Sequence, residues 1–247
     1  MTISQTERNA EVIGARSAGL AQSVYGSGYY AVVGGCCRSG VCEEMFKARK
    51  ARSTLRRYRR KGLDTLEREM VSTAAAQPLT GARVLEIGGG IGTIQAELLT
   101  AGAATGEVVE LVSAYEPYAR ELARDKGLEG RSTFRVADVL DHPQAVAPAD
   151  IVILNRVVCC SPDGVRLTSV AGKLAGRMLL VVYPRDRAVV RLVMGVMNGV
   201  FGLLGRSFRA FLHAPSSLHA AARDEGLAVA ETSRTFVWEF AAFRRSV

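Results

Sequence analysis

A turn rich in glycine follows a short apolar segment at residues 84–92, and an acidic residue lies just ahead of it. Glu86 stands two positions before the first of three consecutive glycines, Gly88, Gly89 and Gly90. Glycine has no Cβ and tolerates positive φ, so the main chain of such a turn can approach a ligand closely at the start of the following helix. A carboxylate at Glu86 can accept a hydrogen bond from the amino group of a cationic amino-acid moiety. The pattern therefore favours a sulfonium amino acid over a diphosphate as ligand.

Two further carboxylates lie at the ends of the next two strand-like segments. Glu110 is near the end of segment 108–111, 20 residues past Gly90, where an acidic side chain can accept hydrogen bonds from both hydroxyls of a ribose. Asp138 follows segment 133–137 and could accept a hydrogen bond from an adenine amino group. Acidic residues at three successive strand ends are a stronger signal than the glycine turn alone.

The assignment of Glu110 to the ribose has one alternative. If the second strand runs longer, Glu116 would reach the ribose, and Pro117 could then open the next helix at its first position. We favour Glu110 because Ser113 would then cap a helix of ordinary length and because the spacing from the glycines fits.

The run from Val84 to Gly92 resembles motif I of the class I S-adenosylmethionine-dependent methyltransferases, and the later acidic positions agree with it. The resemblance covers residues 80–245 approximately and implies S-adenosylmethionine as cofactor, with S-adenosylhomocysteine as product. The implied contacts are Glu86, Gly88, Gly89 and Gly90 with the methionine part, Glu110 with the ribose, Asp138 and Val139 with the adenine, and Asn155 near the transferring methyl. Leu111 and Arg156 complete the predicted cofactor-binding set.

Methyl transfer is an in-line displacement, so placing the acceptor is the main task of such an enzyme. A general base helps when the acceptor is a hydroxyl or a protonated amine, and histidine is the usual choice. We predict His213 as a catalytic residue because this fold normally inserts substrate-contacting elements there; a structural loop histidine is the alternative. Tyr183, at the end of the fifth strand, is a second catalytic candidate that could orient an acceptor or close the sheet edge. Arg156 and Arg185 could bind a substrate carboxylate or be surface charges.

The five cysteines are two adjacent pairs, Cys36 with Cys37 and Cys159 with Cys160, and the nearby Cys42. Adjacent cysteines bond to each other only with strain and five cannot all pair within one chain, so no disulfide framework is expected. Their spacing matches no standard zinc motif, and we predict no metal site. A cysteine after the fourth strand could be a nucleophile, but the Pro-Cys signature of cytosine-C5 methyltransferases is missing. We favour structural roles for these cysteines as small buried apolar residues.

The elements that must position these residues alternate between strand and helix after Pro78, which predicts a parallel sheet covered by helices on both faces. Two final strand-like segments predict an antiparallel hairpin. The expected fold is therefore α/β, a doubly wound, mostly parallel seven-stranded sheet of the Rossmann-like methyltransferase type with an N-terminal helical cap. The predicted strands are 84–87, 108–111, 133–137, 151–154, 178–182, 227–230 and 235–243.

We divide the chain into an N-terminal helical cap or substrate-access segment, 1–79, and a catalytic domain, 80–247, with a lid insertion near 184–215. The cap contains a predicted helix at 43–61 and a second helix from Asp64, where Asp64-x-x-Glu67 matches a capping box. Nine of the fifteen residues from 47 to 61 are basic. We interpret this helix as solvated and docked by its apolar edge, although such a helix could also bind phosphates.

Residues 188–204 form an apolar helix with an interior arginine, short for a membrane span. We interpret it as a lid over the substrate cavity, with membrane-surface contact as the second interpretation. Its apolar character favours a bulky apolar or aromatic acceptor, in a loose resemblance to tetrapyrrole and natural-product methyltransferases.

With 48% hydrophobic residues the chain can bury one sizeable core. The N-terminus lacks a secretory signal pattern, and we expect a cytoplasmic protein without a membrane span. We predict methyl transfer to O, N or C of a bulky, largely apolar small molecule. Nucleic acid is disfavoured because Asn155 is not followed by a Pro-Pro-Tyr-like run. The alternatives are an RNA methyltransferase that uses helix 47–61 and a cofactor-binding protein without methylating activity. The oligomeric state is open, with a homodimer as one option.

Overall fold

The computed structural model describes residues 45–245. Cys36, Cys37, Cys42 and most of the predicted cap therefore lie outside the described residues. The described part contains one seven-stranded sheet. Its strands are β1 (Arg83–Ile87), β2 (Thr105–Glu110), β3 (Ser132–Val136), β4 (Ala149–Asn155), β5 (Ala175–Pro184), β6 (Leu227–Arg234) and β7 (Trp238–Arg245).

The strand order is β3-β2-β1-β4-β5-β7-β6. The first five strands in the chain are parallel, and β7 is antiparallel to both β5 and β6. The doubly wound, mostly parallel sheet and its closing hairpin are thus confirmed. The order reverses direction between β1 and β4, and ligands of open α/β sheets bind at such a point, beyond the carboxyl ends of the strands.

Helices cover both faces of the sheet. They are α1 (Ala48–Lys61), α2 (Thr65–Ala75), α3 (Thr93–Thr100), α4 (Glu116–Asp125), α5 (Gly164–Leu174), α6 (Ala188–Leu203) and α7 (Pro215–Asp224). Side chains of β4 alternate between the two core layers because successive residues of a strand point to opposite faces. Ile151 and Ile153 pack in the layer of α1 to α4, and Val152 and Leu154 pack in the layer of α5 and α7.

Helices α1 and α2 belong to the first of these layers. Ala51, Leu55 and Tyr58 form the buried edge of α1, and its basic residues lie on the opposite side, as the docked interpretation predicted. Helix α2 begins with the predicted capping box, in which the Asp64 carboxylate accepts a hydrogen bond from the Glu67 amide at 3.0 Å and the Glu67 carboxylate accepts one from the Asp64 amide at 2.8 Å. These contacts fix the start of α2 beside the carboxyl end of β4.

Helix α6 is the least buried helix of the described chain. Val190 is its only buried residue. Within residues 45–245, no helix combines the length and the apolar character needed to cross a bilayer.

Candidate active site

The carboxyl ends of β1 to β4 surround a cavity of about 240 Å³ at the point where the strand order reverses. Most of the lining is apolar. Eight of the ten predicted cofactor-binding residues line it, namely Gly88, Gly90, Glu110, Leu111, Asp138, Val139, Asn155 and Arg156. The other two, Glu86 and Gly89, do not.

The glycine turn depends on glycine at two of its positions. Gly88 has φ +65° and Gly90 has φ +59°, a left-handed region that other residues adopt only with strain. A Cβ on Gly88 would clash with Cγ2 of Val157, and one on Gly90 would lie 3.2 Å from the Tyr115 ring. The turn therefore presents bare main chain to the cavity, packed tightly against its neighbours.

Glu86 is 1% exposed, and its Oε2 accepts a hydrogen bond from the main-chain amide of Gln95 at 3.0 Å. Burial raises the pKa of Glu86 to about 8, and the Gln95 amide opposes this shift. A Cβ on Gly89 would lie 2.6 Å from Cγ of Glu86, so the side chain occupies the space beneath the turn. Its carboxyl group thus accepts a hydrogen bond from the start of α3, and its contact with the ligand amino group stays a prediction.

Glu110 holds the glycine turn from the second strand. Its Oε2 accepts a hydrogen bond from the Gly90 amide at 2.9 Å, and its Oε1 accepts from the amides of Leu111 at 2.8 Å and Val112 at 3.2 Å. Burial raises the pKa of Glu110, and the three main-chain amides counteract this shift. The carboxylate is thus fixed at the cavity wall by its own main chain and by the turn.

Glu116, the alternative to Glu110, does not line the cavity. It starts α4 and accepts a hydrogen bond from Arg120 at 2.6 Å. The expected cap at Ser113 is wrong, because Ser113 begins a single 3-10 turn without a side-chain cap and Pro117 lies in the first turn of α4. The strand nevertheless ends at Glu110, so the favoured carboxylate is the one at the cavity.

Asp138 follows β3 and faces the cavity together with Val139. One carboxylate oxygen, Oδ1, accepts a hydrogen bond from the Leu140 amide at 2.8 Å. This bond orients the carboxyl group at the wall across from the glycine turn.

Asn155 and Arg156 end β4 and connect the cavity to α2. Arg156 has φ +57°, and it is the only residue other than glycine with positive φ in the described chain. Its Nη1 lies 2.8 Å from Oδ2 of Asp64 and 3.9 Å from Oε1 of Glu67, and its guanidinium stacks over the Trp238 ring at 5.4 Å. Asn155 Oδ1 is buried without a hydrogen-bond partner. The strained residue is held by an ion pair that joins sheet and N-terminal helix.

The structure does not bring the two predicted catalytic residues into this cavity. His213 Nε2 lies 3.1 Å from the Val158 carbonyl oxygen and 2.9 Å from that of Ser161. Since both partners are acceptors, Nε2 carries the hydrogen. The alternative interpretation, a structural loop histidine, fits this position.

Tyr183 is fully buried in the core layer of α5 and α7 and does not line the cavity. Its hydroxyl lies 2.7 Å from Nε2 of His219 and donates to Oε1 of Glu239 at 3.1 Å. Burial raises its pKa, and Glu239 adds to the rise. The expectation that Tyr183 orients an acceptor is corrected, because Tyr183 does not line the cavity and its hydroxyl is bound by His219 and Glu239.

Arg185 is not a free cation at the cavity either, since its Nη1 donates to the Thr235 carbonyl at 2.9 Å. Cys159 is buried, which agrees with a structural role, whereas Cys160 lines the cavity. A hydrogen bond with Cys160 lowers the pKa of Cys159.

The sequence interpretation missed several lining residues, including Phe46, Tyr115 and Ser161. Tyr115 follows β2 closely enough for its position to have been a signal. Phe46 reaches the cavity from the segment just before α1, far away in the chain, and no local pattern marks it.

The fold and the cavity define the Rossmann-like class I methyltransferase fold. No family model matches the chain, and no curated protein matches its sequence. Solved structures do match it. Magnesium protoporphyrin IX methyltransferase (ChlM) from Synechocystis PCC 6803, solved with bound S-adenosylhomocysteine, is 19% identical with a TM-score of 0.64, over 84% of this chain and 99% of that one.

Two other similar structures are O-methyltransferases. One is an O-methyltransferase family protein from Burkholderia thailandensis, with 21% identity and a TM-score of 0.61 over 83% of this chain and 63% of that one. The other is the mitomycin 7-O-methyltransferase MmcR, with 19% identity and a TM-score of 0.57 over 85% of this chain and 61% of that one. At these identities the similarity establishes the fold.

Proposed function

We propose that this protein binds S-adenosylmethionine and transfers its methyl group to an O, N or C atom of a bulky, largely apolar small molecule. One observation carries the proposal. The bare main chain of Gly88 and Gly90 and the carboxylates of Glu110 and Asp138 line one cavity at the ends of three neighbouring parallel strands. The methyltransferases with the same fold, one of them solved with the demethylated cofactor, support it.

The cavity residues fit an adenosyl ligand. A carboxylate has about four acceptor sites, and three main-chain amides occupy three of those of Glu110, so its Oε2 can accept one ribose hydroxyl as well. Asp138 uses one oxygen for the Leu140 amide, which leaves the other for an adenine amino group. Asn155 Oδ1 is a buried acceptor without a partner at the end of β4. The absence of Cβ atoms at Gly88 and Gly90 lets Val157 and Tyr115 pack against the turn, and both glycines line the cavity where the methionine part would bind.

When bound, the cofactor supplies an electrophilic methyl group on a sulfonium. The protein then has to hold the acceptor in line with it and to exclude water. Phe46, Leu140, Val157 and Leu167 supply an apolar wall for that task. Since neither His213 nor Tyr183 lines the cavity, we propose that placement, and not a histidine base, carries the catalysis.

We also propose that three segments of the chain have the roles predicted from the sequence. Residues 1–79 would act as cap or substrate-access segment, residues 80–247 as catalytic domain, and residues 184–215 as a lid, in a cytoplasmic protein. Contacts of the described part support this. Phe46 lines the cavity and packs edge-on against Phe208 of the 184–215 segment, with ring centroids 5.7 Å apart.

Calorimetry with S-adenosylhomocysteine tests the binding half of the proposal. Glu110→Gln removes the charge at the cavity wall and should weaken binding by about 10- to 100-fold, the range for a hydrogen bond to a charged group. Glu116→Gln is the matched control, because this carboxylate lies outside the cavity, and it should bind like the wild type. Absence of binding by the wild type, or equal affinities for both variants, would contradict the site.

Incubation with methyl-labelled S-adenosylmethionine and cell extract tests the transfer half. Label in a small molecule that partitions into organic solvent is the expected result. Label in RNA would instead favour the nucleic-acid alternative, and binding without any transfer would favour a protein that uses the cofactor for another purpose.

A further inference from the structure

One side of α6 carries an unusual row of exposed apolar side chains, which we call the apolar face of α6. It consists of Leu192, Val193, Val196, Val200 and Leu203. Leu192 is 66% exposed, Val196 60% and Leu203 90%. These residues recur every three or four positions, so they form one continuous stripe along the helix. Single exposed apolar residues are ordinary on protein surfaces, whereas a contiguous stripe marks a surface that binds something.

A groove lined by cations lies next to the end of this helix, and we call it the cationic groove. Its charged residues are Lys47, Arg49, Lys50, Arg52, Arg56 and Arg206, and no carboxylate lines it. The ion pairs that α1 forms in the described structure belong to Arg57 and Arg59, which lie outside the groove. The cations of the groove are therefore free to meet an anionic partner.

Arg206 joins the two surfaces. It lines the cationic groove, and its guanidinium lies over the ring of Phe201, a residue of α6, at 5.9 Å from the centroid. The cluster of positive charge thus lies next to the C-terminal end of α6, the helix that carries the apolar stripe.

We propose that the apolar face of α6 and the cationic groove together bind the surface of an anionic lipid bilayer. Such a surface offers anionic headgroups beside acyl chains, which match the groove and the helix respectively. With 16 residues, α6 is too short to span a bilayer and would lie in the interfacial plane. A nucleic acid would match only the groove, and a second copy of the chain would bring further cationic grooves to the contact.

The same end of the molecule holds the cavity. Phe46 lines the cavity and contacts Phe208, which in turn contacts Phe201 of α6 at 6.0 Å between ring centroids. A bilayer at α6 would therefore lie beside the residues that border the cavity. The lipid-binding proposal goes beyond methyl transfer and does not depend on it.

Co-sedimentation of the full-length protein with vesicles tests the proposal. We expect binding to vesicles of phosphatidylcholine mixed with phosphatidylglycerol, binding several-fold weaker to phosphatidylcholine alone, and a decrease with added salt because salt screens exposed charges. Leu192→Glu combined with Val196→Glu should weaken binding by roughly a hundredfold or more, the effect of losing two buried apolar side chains. Arg49→Gln combined with Arg52→Gln should weaken it by about thirtyfold at low salt.

Val229→Glu is the matched control. Val229 is 42% exposed on the edge strand β6, and it belongs neither to α6 nor to the cationic groove. Its substitution should therefore leave vesicle binding unchanged. Thermal unfolding of every variant checks that the fold is kept.

Two results would overturn the proposal. One is a full-length protein that does not sediment with the anionic vesicles at low salt. The other is binding that Leu192→Glu with Val196→Glu leaves intact. If that variant instead turns a dimer into a monomer in analytical ultracentrifugation and no vesicle binding is seen, the apolar face of α6 binds a second copy and the lipid proposal is wrong.

Discussion

Oε2 of Glu86 lies 3.0 Å from the main-chain nitrogen of Gln95, and both residues are 1% exposed beneath the glycine turn. The acidic residue of the turn thereby accepts a hydrogen bond from an amide in the first turn of α3, a group that has no partner within the helix. Burial makes the ionised form unfavourable, and the nearby carboxylates of Glu67 and Glu110 add to this, so the pKa of Glu86 rises to about 8.

This raised pKa makes the stability of the protein depend on pH. The folded state holds the Glu86 proton more tightly than the unfolded chain, whose glutamates titrate near pH 4.3. The stabilisation from that proton is complete below the unfolded pKa and is lost as pH rises through the folded pKa, near pH 8. Glu86→Gln is neutral at every pH and keeps an acceptor for Gln95. Its stability relative to the wild type should therefore rise with pH, by something on the order of 5 kcal/mol over this window.

Urea unfolding at a series of pH values measures this difference. Glu129→Gln is the control, because Glu129 is exposed and its neutralisation removes no buried carboxyl group. Parallel pH profiles for the wild type and Glu86→Gln would mean that Glu86 is ionised in the folded state, and the assigned environment would be wrong.

The clash between a Cβ at Gly88 and Val157 leads to a second prediction. Gly88→Ala should lose stability for two reasons: its φ of +65° disfavours alanine by about 1–2 kcal/mol, and the new methyl overlaps the Val157 side chain. Val157→Ala removes the overlapping methyls, so the double variant should be more stable than the sum of the single changes predicts, by about 1 kcal/mol. Urea unfolding of the four proteins gives this coupling.

Gly81→Ala separates the two causes. Gly81 also has positive φ, +76°, but a Cβ there meets no atom within 4 Å. Its substitution should show the backbone effect alone and no coupling to Val157→Ala. If Gly88→Ala is no worse than Gly81→Ala, the turn has room that the structure does not indicate.

The sequence predicted the strands of the sheet well because each strand contains an apolar run that can be recognised without the rest of the chain. Segment 151–154 is continuous and apolar, and it forms the centre of β4, buried on both faces. The capping box at Asp64 was predicted equally well, since both of its partners are local. Local patterns thus specified the sheet and the start of α2.

The sequence predicted the candidate site less completely than the sheet, as Tyr183 and Arg156 show. Tyr183 packs in the same core layer as Leu179 and Val181, and this layer also holds residues that line the cavity. Strand parity therefore did not exclude it from the cavity, and its hydroxyl partners His219 and Glu239 lie 36 and 56 positions away. The ion pair of Arg156 with Asp64 joins positions 92 residues apart. A contact that distant leaves no local pattern, and an arginine gives no sign that its φ will be positive.

That ion pair supplies a third prediction. Burial tends to raise the pKa of Asp64, but the hydrogen bonds from Arg156 and from the Glu67 amide outweigh it, and the net shift is downward. The stabilisation is therefore present above the unfolded pKa and is lost as pH falls through the folded one. Asp64→Asn keeps the helix cap, because asparagine caps as well as aspartate does, and removes only the charge. It should lower stability by about 1 kcal/mol near neutral pH.

The effect should fade below about pH 4, where the wild-type carboxylate of the unfolded chain is itself protonated. Urea unfolding near neutral pH and below about pH 4 measures this loss of stability. Asp141→Asn is an exposed control. In an Arg156→Gln background the substitution at Asp64 should have little effect. A loss of equal size in that background would assign the stabilisation to the cap and not to the ion pair.

The hydroxyl of Tyr183 gives the last prediction, because it separates a structural role from a catalytic one. Glu239 accepts a hydrogen bond from Tyr183 at 3.1 Å and one from Arg234 at 2.9 Å, so the tyrosine hydroxyl is a donor and His219 Nε2 donates to it. Burial lowers the pKa of His219, which agrees with a neutral ring. Tyr183→Phe breaks this chain and leaves a half-buried histidine donor without its acceptor, which should lower stability by about 1 kcal/mol. Since the hydroxyl lies outside the cavity, the affinity for S-adenosylhomocysteine and the rate of methyl transfer should stay at wild-type values below the unfolding temperature. Unfolding curves measure the stability, and calorimetry and a methyl-transfer assay on the same preparation measure the affinity and the rate. A drop in affinity or rate at unchanged stability would return Tyr183 to the active site.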